Sequence, residues 1–229
     1  MNNLTESTFP SFYFKNDFTK YKSEFFASGK TLTLLPEDYL PLTAGNRDYY
    51  YYIVSGTAKL CMKDITGAEQ IICFFGEDCC LPLNLKEFGH WTKSGIIYAK
   101  AFTPLTAVRI SGKSMNSLLE KEDFSRRVFE LSSGLMMLLI YKNINLSSGN
   151  SLNKICNFLW IYLNDINTRE LSLTQAQIAQ VAGTTRLEVA RALRWLRDND
   201  YVRTGRNKIA INNKERFSAL CSSNIFPNV

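Results

Sequence analysis

Five neighbouring side chains in the C-terminal third carry the most pointed chemistry of this chain: Arg186, Leu187, Glu188, Arg191 and Arg194. A guanidinium is a planar fork of donors that matches the acceptor pair on a guanine edge, or two oxygens of a phosphate. At 100° per residue Leu187, Arg191 and Arg194 fall on one side of a helix, with Arg186 and Glu188 at its margins. Arg203, Arg206 and Lys208 add cations a short way downstream. From Leu171 to Phe217 nine lysines and arginines stand against four acids, a surplus of five within a whole-chain charge of +6. The rest of the chain is therefore nearly neutral. A cationic surface confined to one segment is what a polyanion requires, and double-stranded DNA is the expected partner.

Other reactive side chains form weaker constellations. The six cysteines (61, 73, 79, 80, 156 and 221) have no framework spacing and are read as reduced thiols. Cys61 and Cys73 fall on strands expected to pair and so to approach one another. Adjacent Cys79 and Cys80 make a poor chelating pair, because successive strand side chains point apart. Thiol-redox sensing is kept as an alternative on these grounds. His90 is the one histidine, too few for a zinc or haem site or for a metal-binding β-barrel enzyme, and it is read as a loop residue. A cupin-like enzyme is the rival class this disfavours. No catalytic residue, metal or cofactor is predicted.

The elements that must position these groups can be read from caps and periodicity. Thr174 can cap a helix over Gln175–Val181, Ala182-Gly183-Thr184 breaks it, and Thr185 can cap a second helix running to about Asp198. Glu188, three residues beyond Thr185, completes a capping-box pattern. Val189, Ala192, Leu193 and Leu196 cluster on the inner side and should pack on Ile178, Ala179 and Val181. A hairpin comes next, Tyr201–Arg203 and Lys208–Ile211 about the turn Thr204–Asn207. Helix, glycine turn, helix and hairpin is the layout of a winged helix-turn-helix, with contacts expected from Thr174, Gln175, Thr184 and Thr185 besides the charged set.

Upstream, residues 1–28 are rich in aromatics and suggest a short helical stretch packing on the strands after it. From Lys30 to Ile110 short β-type runs alternate with turns: Tyr49–Val54, Ala58–Lys63, Gln70–Phe75, Gly95–Ala101 and Thr106–Ile110, the pattern of a small antiparallel roll or barrel. Lys113–Ser147 turns helical. Phe124, Val128, Leu131, Leu135 and Leu138 are spaced by fours and threes, a heptad seam assigned to dimerisation, while Phe129, Met136, Leu139 and Ile140 form a second apolar side. Leu146–Ser151 reads as a polar hinge, and Leu152–Leu163 as another apolar helix. The fold class is thus α+β, with a roll at 1–112, a long helix at 113–147 and a DNA-binding domain at 148–229. No run approaches the roughly 20 apolar residues of a membrane span, and the N-terminus lacks the basic start and apolar core of a secretory signal, so a cytoplasmic protein is expected.

This order of parts resembles the Crp/Fnr transcription regulators, the cyclic-AMP receptor protein and the fumarate–nitrate reduction regulator among them. The matching residues are Tyr52-Ile53-Val54-Ser55-Gly56-Thr57 with Leu60 in the roll, and Thr174, Ile178, Ala179, Gly183, Arg186, Arg191, Leu193 and Leu196 in the tail. The resemblance implies a cyclic-nucleotide-binding-like jelly roll and a homodimer placing two recognition helices in successive major grooves of a near-palindromic site. It also implies RNA polymerase as a partner, and an effector in the roll that repositions the DNA heads. Cyclic-nucleotide-binding relatives follow Gly-Glu with Arg-Ser or Arg-Thr. Here Gly76-Glu77 is followed by no such pair before Arg109, leaving a buried cyclic phosphate without its counter-charge. A small effector other than cyclic AMP is expected near Gly76, Glu77, Cys79, Cys80, Leu131 and Leu135, with an effector-free regulator filled by its own aromatics as the alternative. The cysteine cluster of iron–sulfur relatives is missing from residues 1–60. Where relatives read bases with a glutamate one residue after the Arg186 equivalent, this chain has Leu187.

Overall fold

A computed structural model describes residues 10–44, 47–81, 94–148, 150–168, 170–206 and 208–221. They divide into two compact units, Tyr13–Met136, and Met137 onward together with the segment that ends at Phe12. His90 lies outside the described residues.

The first unit is the roll. Strand β1 (Tyr13–Phe14) leads through a 3-10 turn at Thr19–Tyr21 into helix α1 (Lys22–Ser28). There follow β2 (Lys30–Leu34), β3 (Tyr39–Leu40), β4 (Thr43–Ala44), β5 (Arg47–Ser55), β6 (Ala58–Lys63), β7 (Glu69–Phe75), β8 (Cys80–Leu81), β9 (Ile97–Ala101) and β10 (Leu105–Ser111). One sheet runs β1-β7-β6-β9-β3, and the other β2-β10-β5-β4 with β8 also on β5. The ladders are antiparallel, as the short alternating runs predict, except that β1 joins β7 in parallel. The β5–β6 turn needs Gly56: its φ is +87°, and a Cβ there would sit 2.2 Å from the Pro104 carbonyl. A register slip at Leu60/Cys61 sets Cys73 opposite Leu60 and Ile71 opposite Cys61, so Cys61 and Cys73 lie on paired strands, as expected, without being directly opposite.

Aromatic side chains fill the interior. Tyr51, Tyr52, Phe74 and Phe75 are buried, and Phe25 of α1 stacks on Tyr52 with ring centres 4.5 Å apart. A charged cluster on the same unit surrounds one buried lysine. Lys59, 2% exposed, donates to Glu37 and Glu69 at 2.9 Å each, while Lys100 and Tyr98 donate to Glu69 at 2.7 and 2.9 Å. A buried ammonium is tolerated because its charge is paired with two carboxylates.

The helix predicted as a single piece over 113–147 is two, α2 (Gly112–Leu119) and α3 (Glu122–Ser148). The stripe assigned to dimerisation is largely taken up within the chain itself. Phe124, Val128, Leu131 and Leu138 are buried within the chain and Leu135 is half-buried. Phe124 is taken by the N-terminal segment, 4.9 Å from the ring of Tyr21 and 5.1 Å from that of Phe18. The other side of α3 is open: Phe129 is 72% exposed, and Met136, Leu139, Ile140 and Ile144 are exposed with it. The units divide within α3, after Met136, and the helix continues beyond Leu146 to Ser148.

The second unit holds α4 (Ser151–Asp165), β11 (Glu170–Leu171), α5 (Gln175–Ala182), α6 (Arg186–Asp198), β12 (Val202–Gly205), β13 (Lys208–Ile211) and α7 (Lys214–Ser218). Its sheet runs β11-β13-β12. Phe12 belongs to this core, buried edge-on against Phe158 at 5.3 Å, with its N–H donating to the Asp165 carboxylate at 2.7 Å. Among the described residues no helix is long and apolar enough to cross a membrane.

Candidate nucleic-acid interface

Two capping boxes build the helical pair. Thr174 Oγ1 accepts from the Gln177 N–H at 3.2 Å while Gln177 Oε1 accepts from the Thr174 N–H at 2.9 Å, which starts α5. Gly183 ends it in the left-handed region, φ 62° and ψ 46°. Thr185 Oγ1 then accepts from the Glu188 N–H at 3.2 Å, and Glu188 Oε2 from the Thr185 N–H at 2.8 Å, which starts α6. Val189, Ala192, Leu193 and Leu196 are buried, as are Ile178, Ala179 and Val181 of α5, so the inner face is the predicted one.

The outer face carries Arg191, Arg194 and Leu187, the last 59% exposed, with Arg186 on the flank toward the hairpin. Among the described residues Arg186, Arg191, Arg194 and Arg206 have no carboxylate within 4 Å. Four guanidiniums are thus left with their donors turned to solvent. Between α6, the hairpin and the start of α5 lies a groove of about 720 Å³, lined by Thr174, Gln175, Arg186, Arg194, Arg197, Arg206 and Lys208 among others. The α5 N-terminus adds its own partial positive charge there. Such a groove can hold a sugar-phosphate strand while the face beside it meets base edges.

Each predicted DNA-contact residue lies in this region, but their surroundings differ. Thr184 is half-buried, its hydroxyl given to Glu188 Oε2 at 2.6 Å. Glu188 itself is fully engaged and stands apart from the free cations. Hydrogen bonds from Ser151, then from Thr184 and Thr185, hold its carboxyl down to about 2. Arg203 donates to Asn212 at 3.0 Å and Lys208 pairs with Glu170 at 3.1 Å. Arg197, on the same flank as Arg186 and reaching the groove, is absent from the predicted set; its 11-residue spacing from Arg186, about three turns, is the signal that places it there. Strand β11 also escapes prediction, because two residues carry no periodicity.

Of the residues predicted for an effector, Gly76, Glu77, Cys79 and Cys80 lie on the roll and Leu131 and Leu135 on α3. The Gly76 N–H donates to the Phe14 carbonyl at 2.8 Å, and a Cβ on Gly76 would strike the Tyr13 hydroxyl at 2.2 Å. Glu77 points outward, and its carbonyl accepts from the Asn16 N–H at 2.9 Å. Cys79 and Cys80 are buried, and the Cys79 thiol lies 3.8 Å from the Asp17 carboxylate, which Arg127 of α3 also binds. The segment from Tyr13 to Phe18 therefore covers Gly76–Cys79. Leu131 is buried one turn beyond Arg127 and Leu135 is half-buried. Burial pushes the Cys61 and Cys156 thiols up to about 12, and those of Cys79 and Cys80 well upward, which suppresses thiolate at neutral pH. Arg109 is engaged over the ring of Tyr49, 4.6 Å from its centre.

Residues 153–220 match the Crp-like helix-turn-helix domain. Over the whole chain no curated protein matches by sequence. Among solved structures, FixK2 from Bradyrhizobium japonicum aligns at TM-score 0.68 and 17% identity, over 85% of this chain and 98% of that one. A CRP/FNR-family transcriptional regulator from Thermus thermophilus, TTHA1359, aligns at TM-score 0.61 and 20% identity, over 85% and 99%. The c-di-GMP-responsive global regulator CLP of Xanthomonas campestris aligns at 0.67 and 13%, over 83% and 97%.

Proposed function

We propose, for a chain that carries a Crp-like helix-turn-helix domain and has the fold of the Crp/Fnr transcription regulators, that it is a homodimeric, sequence-specific DNA-binding regulator. The observation that carries this reading is the set of guanidiniums on α6 and at the hairpin tip that have no carboxylate partner among the described residues, bordering a groove of about 720 Å³. Arg191 is assigned to a guanine edge, the exposed Leu187 to a thymine methyl, and Arg186 or Arg194 to phosphate. Arg203, Arg206 and Lys208 serve the backbone. The open side of α3 supplies the dimer contact, and two such heads would read half-sites about one DNA turn, roughly 34 Å, apart. RNA polymerase is the further protein partner this reading needs.

The input is assigned to a small effector other than cyclic AMP, because no arginine stands between Gly76-Glu77 and Arg109 to meet a cyclic phosphate, and Arg109 lies over the ring of Tyr49. A second reading, an effector-independent regulator, is favoured by the aromatic filling of the roll by Tyr51, Tyr52, Phe25, Phe74 and Phe75. Thiol-redox control is opposed by the burial of Cys61, Cys73, Cys79 and Cys80. Selection of duplexes from a random library by the purified protein, without added ligand, tests both points. Recovery of a near-palindrome supports DNA reading and the effector-independent form. Arg191→Ala should then lose affinity and relax preference at one base pair in each half-site; an unchanged profile would remove the assignment.

A further inference from the structure

We propose that Glu188 is a positioning residue which ties the recognition helix to the first turn of α4 through Ser151, and that it does not read bases. The proposal rests on α6 being the recognition helix. Glu188 Oε2 accepts from Thr184 Oγ1 at 2.6 Å and from the N–H and hydroxyl of Thr185, both at 2.8 Å. Its Oε1 accepts from Ser151 Oγ at 2.5 Å. A carboxylate has about four lone-pair positions, so little capacity remains for a cytosine amino group. The charge also favours its present place at a helix N-terminus, where its capping box keeps it ionised.

Ser151 is what makes this more than a cap. It is the first residue of α4, directly after Asn150, whose side chain caps that helix by accepting from the Asn153 N–H at 2.9 Å. Further along α4, Asn157 donates to Asn145 of α3 at 3.0 Å, with both side chains buried. The last turns of α3, the start of α4 and the N-terminus of α6 are thus joined by directional polar contacts inside one compact unit. Apolar packing of α6 on α4 and α5 tolerates small rotations of a helix about its axis. A charge-assisted hydrogen bond at one end does not, because it weakens steeply with angle. Ser151 and Glu188 therefore fix the pitch at which Leu187 and Arg191 are presented, and a shift of the α4 N-terminus carries the reading face with it.

The test uses the full-length chain and a duplex that the wild-type protein selects from a random library. Binding to that duplex, to its single-base variants and to an unrelated duplex is measured by fluorescence anisotropy, and thermal unfolding is followed in parallel. Ser151→Ala leaves the capping box whole. It should weaken the selected duplex roughly tenfold, the loss expected for one hydrogen bond to a charged group. The unrelated duplex should bind as before and the ranking of single-base variants should be kept. Glu188→Ala should weaken the selected duplex at least as much, and Glu188→Gln should keep most of the wild-type affinity, since its amide oxygen can accept from Thr185 and its amide N–H can donate to Ser151. Adding Ser151→Ala to Glu188→Ala should cost nothing further. A changed base preference in either Glu188 variant would make it a direct reader and overturn the proposal. Wild-type binding by Ser151→Ala, or additive losses in the double variant, would overturn it equally. Failure of the wild-type protein to select any duplex would instead remove the reading of α6, and the proposal with it.

Discussion

Replacing Phe129 by serine should dissociate the proposed dimer without unfolding the chain. Phe129 is 72% exposed on α3, so in the isolated chain the change should alter stability by less than about 0.5 kcal/mol. In a two-fold dimer the same ring is covered. A phenylalanine buries on the order of 150–250 Å², and the exposed share of that, at about 25 cal/mol per Å², is worth roughly 3 kcal/mol. The contact repeats across the two-fold axis, giving roughly 6 kcal/mol per dimer, or about four decades in the dissociation constant. Sedimentation equilibrium over a micromolar range should find the wild-type protein dimeric and the variant monomeric. The melting temperature should depend on concentration only in the wild type. A variant that remains dimeric, or that melts many degrees lower at a concentration where the wild type is already monomeric, would refute the placement of the interface on this side of α3.

Phe124→Ala separates the two sides of the same helix: it removes a ring packed on Phe18 and Tyr21, and should cost roughly 3–5 kcal/mol of stability, seen as an earlier unfolding transition in denaturant. At the hairpin, Arg206→Ala should lower the slope of log affinity against log salt by about one and leave base preference as it was; a change in the selected sequence would make Arg206 a base reader. The roll should be acid-labile through Glu69. Burial alone would raise its carboxyl, but hydrogen bonds from Lys100, Lys59 and Tyr98 outweigh that and hold it at about 2. Its folded value lies below the unfolded value of 4.5, so its contribution is fully present above pH 4.5 and is lost as pH falls toward 2. Near-ultraviolet circular dichroism should show the wild type losing tertiary signal across that interval and Glu69→Gln losing less of its stability there.

Much of the DNA head is legible in the sequence because its determinants are local. Thr185 and Glu188 are three residues apart, Gly183 sits where the turn needs a positive φ, and the inner face of α6 follows from a 3.6-residue period. The β6 strand, Ala58–Lys63, can be read to the residue for the same reason: Gly56 and the Asp64 turn bracket it, the latter through Asp64 Oδ1 accepting from the Thr66 and Ala68 N–H groups at 2.8 and 3.0 Å. What escapes is non-local. No spacing rule announces that β1 joins β7 in parallel, that Phe12 enters the core of the second unit, or that Ser151 reaches Glu188 across 37 positions.

The two apolar stripes of α3 show the limit in physical terms. Phe124, Val128, Leu131, Leu135 and Leu138 have the spacing of a coiled-coil edge, and so, one face over, do Phe129, Met136 and Ile140. Periodicity states that a helix has two apolar stripes; it does not state which partner each one meets. Here the N-terminal segment decides. Its aromatics, Phe18, Tyr21 and Phe25, sit within 6.2 Å of the Phe124 ring centre and take the first stripe for the chain's own core. A residue already buried at home can add almost nothing to an interface, since the hydrophobic gain depends on area removed from water. Only the second stripe still has that area to give, so a partner helix must be sought there, and the same aromatic run that closes the first stripe thereby selects the face on which two chains can meet.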